Sequence, residues 1–375
     1  MKQKITVTKP FLPPKEEYIK LIDEIYINDY LTNNGPIVRR FESELESKLN
    51  AKHVSVTCNG HAALDIAIKS LGLKGEVITT PFTFVSTTNA IVLNGLTPVF
   101  CDIKESDLTI DEDKIEELIT DKTVAIMPVH VYGHICNVEK INQIAETYNL
   151  KVIYDASHAF GVNYKKQPIA CYGDISTFSF HATKIFNTIE GGALVYQKDE
   201  YQRIIKAIRN FGIEGPETVE FIGLNAKMNE FQAAMGLTNL KYISNLINER
   251  KKISEYYREK LSKIDGIKYF EPEKTYDDFD YNYAYFPVIV TDKYKLTRDE
   301  LYEFLIKKDI YSRKYFYPLI TDLGCYKNNF NSKATPVAKI ISNQILCLPI
   351  YNGLKKNEVD YICRMISEGV RICQR

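Results

Sequence analysis

Between about residue 50 and residue 200 the sequence repeats one rhythm, a short apolar run followed by a helix-length amphipathic stretch. The apolar runs are His53–Cys58, Glu76–Thr79, Pro98–Asp102, Val124–Val129, Val152–Asp155 and Ile175–Phe180; Ala62–Leu71 and Val138–Tyr148 are two of the helical stretches. A strand without polar alternation has to be covered on both faces, and intervening helices supply that cover. The pattern therefore predicts a mostly parallel α/β sheet. Its right-handed crossovers set the strand ends along one crevice, where such sheets bind ligands.

After Gly192 the rhythm changes. A helical stretch from about Asn229 to Ser262 contains no proline and reads as a bridge between two lobes. Beyond it, Ile267–Phe270 and Tyr285–Val290 read as strands, and Thr297–Lys307 and Lys356–Ile372 as helices, a smaller α+β domain. At 375 residues two domains are the default, and the reading divides the chain into 1–240 and 241–375. The polar segment Glu271–Tyr281 reads as a surface loop.

Charge excludes some functions. Lys plus Arg and Asp plus Glu both number 48, so no global field would hold nucleic acid or an acidic membrane. The N-terminus has no apolar targeting segment, and no apolar run approaches the ~20 residues of a membrane span. The eight cysteines, at 58, 101, 136, 171, 325, 347, 363 and 373, form no CxxC pair. They read as free, mostly buried thiols of a reducing compartment, so the expected location is cytoplasmic. No P-loop, GxGxxG, HExxH or GxSxG motif is present. His130 and His134 flank a turn at Gly133, which argues against a metal site.

Three segments do not read as plain core. In Cys58-Asn59-Gly60-His61 a strand passes through Asn-Gly into a helix, and free amides at a helix start suit a phosphate. Asn-Gly is also an ordinary turn. In Val152-Ile-Tyr-Asp155-Ala-Ser-His158 an apolar strand ends in a carboxylate, which either caps the next turn or faces the ligand crevice. In Thr177-Phe-Ser179-Phe-His181-Ala-Thr-Lys184 a lysine follows a buried strand among apolar neighbours. A desolvated lysine loses proton affinity and becomes an amine nucleophile toward carbonyls. Lysine, carboxylate and phosphate cradle together are what pyridoxal 5'-phosphate (PLP) requires.

These residues resemble the DegT/DnrJ/StrS sugar aminotransferases, members of the fold-type I, aspartate aminotransferase-like PLP enzymes. The resemblance runs from Thr32-Asn-Asn-Gly-Pro36 to Leu348-Pro-Ile-Tyr351. It includes Pro81-Phe-Thr-Phe84-Val-Ser-Thr, Pro128-Val-His-Val-Tyr-Gly133, Asp155-Ala-Ser-His158 and Ser179-Phe-His-Ala-Thr-Lys184. It implies a large domain with a seven-stranded, mostly parallel sheet. Lys184 would be the Schiff-base residue and proton carrier, and Asp155 would hold the pyridine nitrogen protonated. Phe84 would stack on the ring and His158 would lie near it. Ser179 with the amides of Gly60 and His61 would bind the phosphate. Asn225 would reach the cofactor phosphate of the neighbouring subunit, giving a homodimer with shared active sites. Arg313, Tyr315 and Tyr317 would contact the sugar nucleotide.

The implied reaction takes the amino group of L-glutamate to C3 or C4 of a dTDP-linked keto-6-deoxyhexose. The implied product is an amino sugar for surface polysaccharide or lipooligosaccharide. Two departures stand out. His61 occupies a place where the family carries a hydroxyl residue, and the segment after Lys184 lacks the longer Gly-rich run of many 3-aminating members. A sugar dehydratase of the same fold would carry His in place of Lys184. A non-catalytic PLP-binding regulator is the other alternative. Each site residue also has a plainer reading: Phe84 as core, His158 as a partner for a buried carbonyl, and the Arg313–Tyr317 stretch as a solvated edge.

Overall fold

Seven strands build the central sheet: β1 (His53–Thr57), β2 (Glu76–Thr79), β3 (Thr97–Phe100), β4 (Thr123–Ile126), β5 (Lys151–Asp155), β6 (Ile175–Ser179) and β7 (Gly192–Tyr196). Their order is β1-β7-β6-β5-β4-β2-β3. Every neighbouring pair is parallel except those of β7, which runs antiparallel to both β1 and β6. This computed structural model describes residues 4–330 and 332–372. Cys373 lies outside them, and the seven described cysteines are free thiols, of which Cys325 is exposed and Cys58 and Cys171 are half-buried.

Alternate residues of one strand enter two different cores, which explains the missing polar alternation. Val152 and Tyr154 of β5 pack on one face, with α1 (Lys15–Asn28), α2 (Pro36–Lys48) and part of α5 (Val138–Tyr148). Ile153 packs on the other, with α3 (Gly60–Ser70), α4 (Val85–Leu93) and α6 (Asp199–Arg209). Helix α2 starts on Gly35-Pro36 with no capping side chain of its own. The buried Glu230 carboxylate caps it instead, accepting from Ile37 N at 2.8 Å and Val38 N at 3.0 Å. A carboxylate on a helix N-terminus contributes on the order of 1 kcal/mol.

The expected helix over 229–262 is two helices, α7 (Glu230–Leu240) and α8 (Ile243–Leu261). Neither Pro nor Gly marks the break at Lys241–Tyr242. Tertiary packing makes it: the Tyr242 ring lies 5.5 Å from Phe11, and its hydroxyl bonds Glu17. Ile243 of α8 packs in the core of the large sheet, whereas Ile253, Tyr257 and Leu261 pack in a second core.

That second core lies on an antiparallel sheet of β8 (Ile267–Tyr269), β9 (Phe286–Val290) and β10 (Ile345–Leu348), with β9 in the centre. The helices α9 (Arg298–Ile306), α10 (Pro336–Gln344) and α11 (Lys356–Ile372) follow in the same region. Thr297 opens α9 with a capping box to Glu300. The two sheets are tied together by Asp102, just past β3, which caps α10 by accepting from Val337 N at 3.0 Å and Ala338 N at 2.9 Å. The segment Glu271–Tyr281 departs from the expected surface loop. Phe279–Asp280 pairs with Asn163–Tyr164, and Tyr281 is buried.

Candidate active site

Asp155 is the last residue of β5 and is 4 % exposed. One carboxylate oxygen accepts from Thr87 Oγ1 at 2.7 Å and the other from the backbone N–H of Ser157 at 3.1 Å. Thr87 lies 2.9 Å from the hydroxyl of Thr83, so a buried hydroxyl pair stands behind the carboxylate. Two donors, one on each oxygen, fix the orientation of this buried carboxylate.

Lys184 follows β6 and is partly covered. Burial lowers its ammonium to about 8, against the opposing pull of the Asp155 charge. Its Nζ lies 3.3 Å from the Tyr285 hydroxyl. Asp155 ends β5, and Lys184 lies in the segment that follows Ser179, the last residue of the neighbouring parallel strand β6.

His158 is 8 % exposed and its Nδ1 accepts from the backbone N–H of Tyr132 at 2.9 Å. That bond puts the ring proton on Nε2. Burial, then the Lys184 charge, hold the imidazole well below its ordinary range, so it is neutral at pH 7. The ring centroid is 4.4 Å from that of Tyr285. The expected alternative, a bond to a buried carbonyl, is not what Nδ1 makes.

Helix α3 begins at Gly60, with the Asn59 side chain accepting from Ala62 N at 2.8 Å. The amides of Gly60 and His61 stand at the helix start as donors. A Cβ on Gly60 would come 2.7 Å from Ser179 Cβ, so only glycine lets this loop approach β6. The His61 ring is committed elsewhere, its Nδ1 lying 2.8 Å from Ser86 Oγ.

Phe84 is 58 % exposed, which excludes the core reading. It lines a cleft of about 420 Å³ together with Arg313, Lys314, Tyr315 and Tyr317. The backbone of Arg313 is paired to Cys347 of β10, which fixes the loop while leaving the side chain exposed. No ion pair among the described residues involves Arg313. Tyr317 lies on the guanidinium of the buried Arg298, 4.4 Å from ring centroid to Cζ. Tyr315 meets Tyr285 edge-on at 6.2 Å and so joins this cleft to Lys184.

Asn225 stands apart. It is exposed, its side-chain oxygen accepts from Lys227 Nζ at 2.8 Å, and among the described residues it bonds none of Lys184, Asp155 or Ser179. Sequence reasoning missed Thr87 and Tyr285. Both come from segments remote in sequence from the lysine, and neither residue is unusual in its own stretch. His130 and His134 are fully buried, on Cys136 N and the Asp107 carbonyl respectively, and no metal-binding group of His, Cys, Asp and Glu occurs among the described residues. No described helix is long and apolar enough to cross a membrane.

The model of the DegT/DnrJ/EryC1/StrS aminotransferase family matches residues 14–367. The chain belongs to that family. Among its relatives, a dTDP-4-amino-4,6-dideoxy-D-glucose transaminase of Shigella dysenteriae is 43 % identical over 368 residues, covering 98 % of this chain and all of the relative. A transaminase of the same description from Escherichia coli is 41 % identical over 367 residues, covering 96 % of this chain and 98 % of the relative. The solved structure of DesI with its TDP-sugar product superposes with a TM-score of 0.94 at 29 % identity, covering all of this chain and 96 % of that one. The two-sheet architecture is therefore that of the DegT/DnrJ/EryC1/StrS sugar aminotransferases, the fold the sequence resemblance implied.

Proposed function

We propose that this chain is a PLP-dependent aminotransferase that moves the amino group of L-glutamate onto the C4 ketone of a dTDP-linked 4-keto-6-deoxy-D-glucose. The observation that carries the reading is the desolvated Lys184, in the segment that follows the strand next to the buried, doubly bonded Asp155. The choice of C4 and of dTDP rests on the two whole-length relatives described as dTDP-4-amino-4,6-dideoxy-D-glucose transaminases.

The residues present fit the cofactor. The Gly60–Ser179 approach leaves backbone amides and a hydroxyl for a phosphate, and Phe84 offers an exposed aromatic face at the cleft. When bound, PLP supplies a pyridinium ring that takes up the electron pair left when a proton leaves carbon. Asp155 would keep the ring nitrogen protonated, because an ionised carboxylate is its counter-charge. Lys184, with its amine near neutrality, would remove the proton from one carbon and return it to another. His158 would offer its Nε2–H as a neutral donor. Arg313 would pair with the diphosphate, with Tyr315 and Tyr317 lining the same cleft. Lys184 in place of histidine weighs against the dehydratase alternative.

Purified protein given L-glutamate and dTDP-4-keto-6-deoxy-D-glucose is expected to release a product whose mass shows ketone replaced by amine, with nitrogen on C4 by NMR. No glutamate-dependent product, or nitrogen on C3, overturns the proposal.

The exposed Asn225 supports a shared site, in which it serves the cofactor phosphate of a partner in a homodimer. Lys184→Ala and Asn225→Ala would then damage different half-sites. Co-refolding the two inactive variants gives about half hybrid dimers, each with one intact site, so activity returns to roughly a quarter of wild type. A mixture that exchanges subunits and stays inactive would place Asn225 in its own subunit's site.

A further inference from the structure

Lys184 is held at its amine end by a group from the other sheet. Ala284 and Tyr285 immediately precede β9. The carbonyl of Ala284 accepts from the buried Arg250 guanidinium at 3.0 Å, and Asn282 just upstream donates to the carbonyls of His158 at 2.8 Å and Phe160 at 3.0 Å. The backbone carrying Tyr285 is therefore anchored to α8 on one side and to the loop after β5 on the other. The Tyr285 ring is wedged between His158 at 4.4 Å, Tyr132 at 5.6 Å and Tyr315 at 6.2 Å. Its hydroxyl is left pointing at Lys184 Nζ, 3.3 Å away.

We propose that Tyr285 is a positioning residue for Lys184, its hydroxyl accepting a hydrogen bond from the lysine ammonium and holding that group in place whenever it is free to carry a proton. The idea rests on the function proposed above, in which Lys184 is the proton carrier. A lysine has four rotatable side-chain bonds, and a mobile amine would spend little time aligned for transfer. One fixed acceptor removes that freedom. The acceptor must not itself ionise, and burial holds the Tyr285 phenol well above its ordinary range. The charged or polar groups facing this amine are Asp155 from β5, His158 from the loop beyond it, and Tyr285. Asp155 is already engaged by Thr87 and Ser157, and His158 by Tyr132, so Tyr285 makes the direct contact.

Tyr285→Phe keeps the ring and its packing and removes only the oxygen. A hydrogen bond accepted from the ammonium favours the charged lysine, so its loss moves the Lys184 titration downward. The readout is acetic anhydride labelling of the cofactor-free, full-length chain across pH, with the Lys184 peptide quantified by mass spectrometry. The wild-type midpoint is expected near 8, and the variant's lower by about half a unit or more. In the loaded enzyme, kcat is expected to fall roughly tenfold with the sugar KM within about twofold. An unchanged labelling midpoint with unchanged kcat would overturn the proposal, because a purely packing role leaves both alone. If wild type fails to aminate the sugar while the midpoint still shifts, the function proposed above is overturned and the Lys184–Tyr285 bond is supported.

Discussion

Lys184→Ala is expected to abolish amination, with a loss of at least about 10⁴-fold, near 5 kcal/mol of barrier. The expectation follows from two roles resting on one amine. Covalent attachment to the cofactor carbonyl needs a neutral nucleophile, and the proton transfer needs a base within reach of both carbons. Burial lowers this amine to about 8, so an appreciable neutral fraction exists near pH 7. An exposed lysine near 10.4 would have almost none. Two other lysines are engaged elsewhere. Lys227 contacts Phe211 and Asn225, and Lys314 pairs with Asp299 at 2.6 Å. Borohydride treatment of the yellow wild-type holoenzyme should fix the cofactor to the peptide containing Lys184. Label on any other lysine, or a variant retaining more than about one-hundredth of wild-type turnover, would remove Lys184 from the centre of the mechanism.

Legibility in the sequence followed a physical rule. The strands β2 and β5 were readable to within a residue because burial on both faces leaves a continuous apolar run, as Val152-Ile153-Tyr154 shows by sending alternate side chains into two cores. Strand β7 was not readable. It starts at the second glycine of Gly191-Gly192 and enters the sheet antiparallel, where the expected rhythm of strand and crossover helix no longer applies. Strand β10 was also missed, since Ile345–Leu348 follows directly on α10 with no turn residue between them. The break between α7 and α8 depends on Phe11 and Glu17, far away in sequence.

The same rule sorts the site. Lys184 and Asp155 stood out because a charged residue bordering an apolar strand conflicts with its surroundings, and such conflicts mark function. Thr87 and Tyr285 conflict with nothing. A threonine near a helix start and a tyrosine before a strand are ordinary, and only the fold shows that one donates to Asp155 and the other reaches Lys184. Phe84 was open to either reading until its exposure in the Arg313 cleft was seen.

Asp155→Asn is expected to fold normally and to lose on the order of 10²–10³-fold in kcat, about 3–4 kcal/mol. The amide is nearly isosteric, and its oxygen still accepts from Thr87 or Ser157, so the turn after β5 is retained. What changes is charge. A carboxylate favours a protonated pyridine nitrogen, whereas a neutral amide gives it no counter-charge, and the ring then accepts an electron pair poorly. The substitution also removes the Asp155 charge, which raises the Lys184 amine, so that amine should titrate below about 8. The sign matters for the test. A lower lysine value increases the neutral fraction at pH 7 and would by itself favour nucleophilic attachment, so a large loss of turnover cannot be charged to Lys184. Circular dichroism and thermal melting check the fold, lysine labelling across pH checks the downward shift, and steady-state kinetics measure the loss. Activity within about threefold of wild type, roughly 0.65 kcal/mol, would reduce Asp155 to a cap for the turn that carries His158.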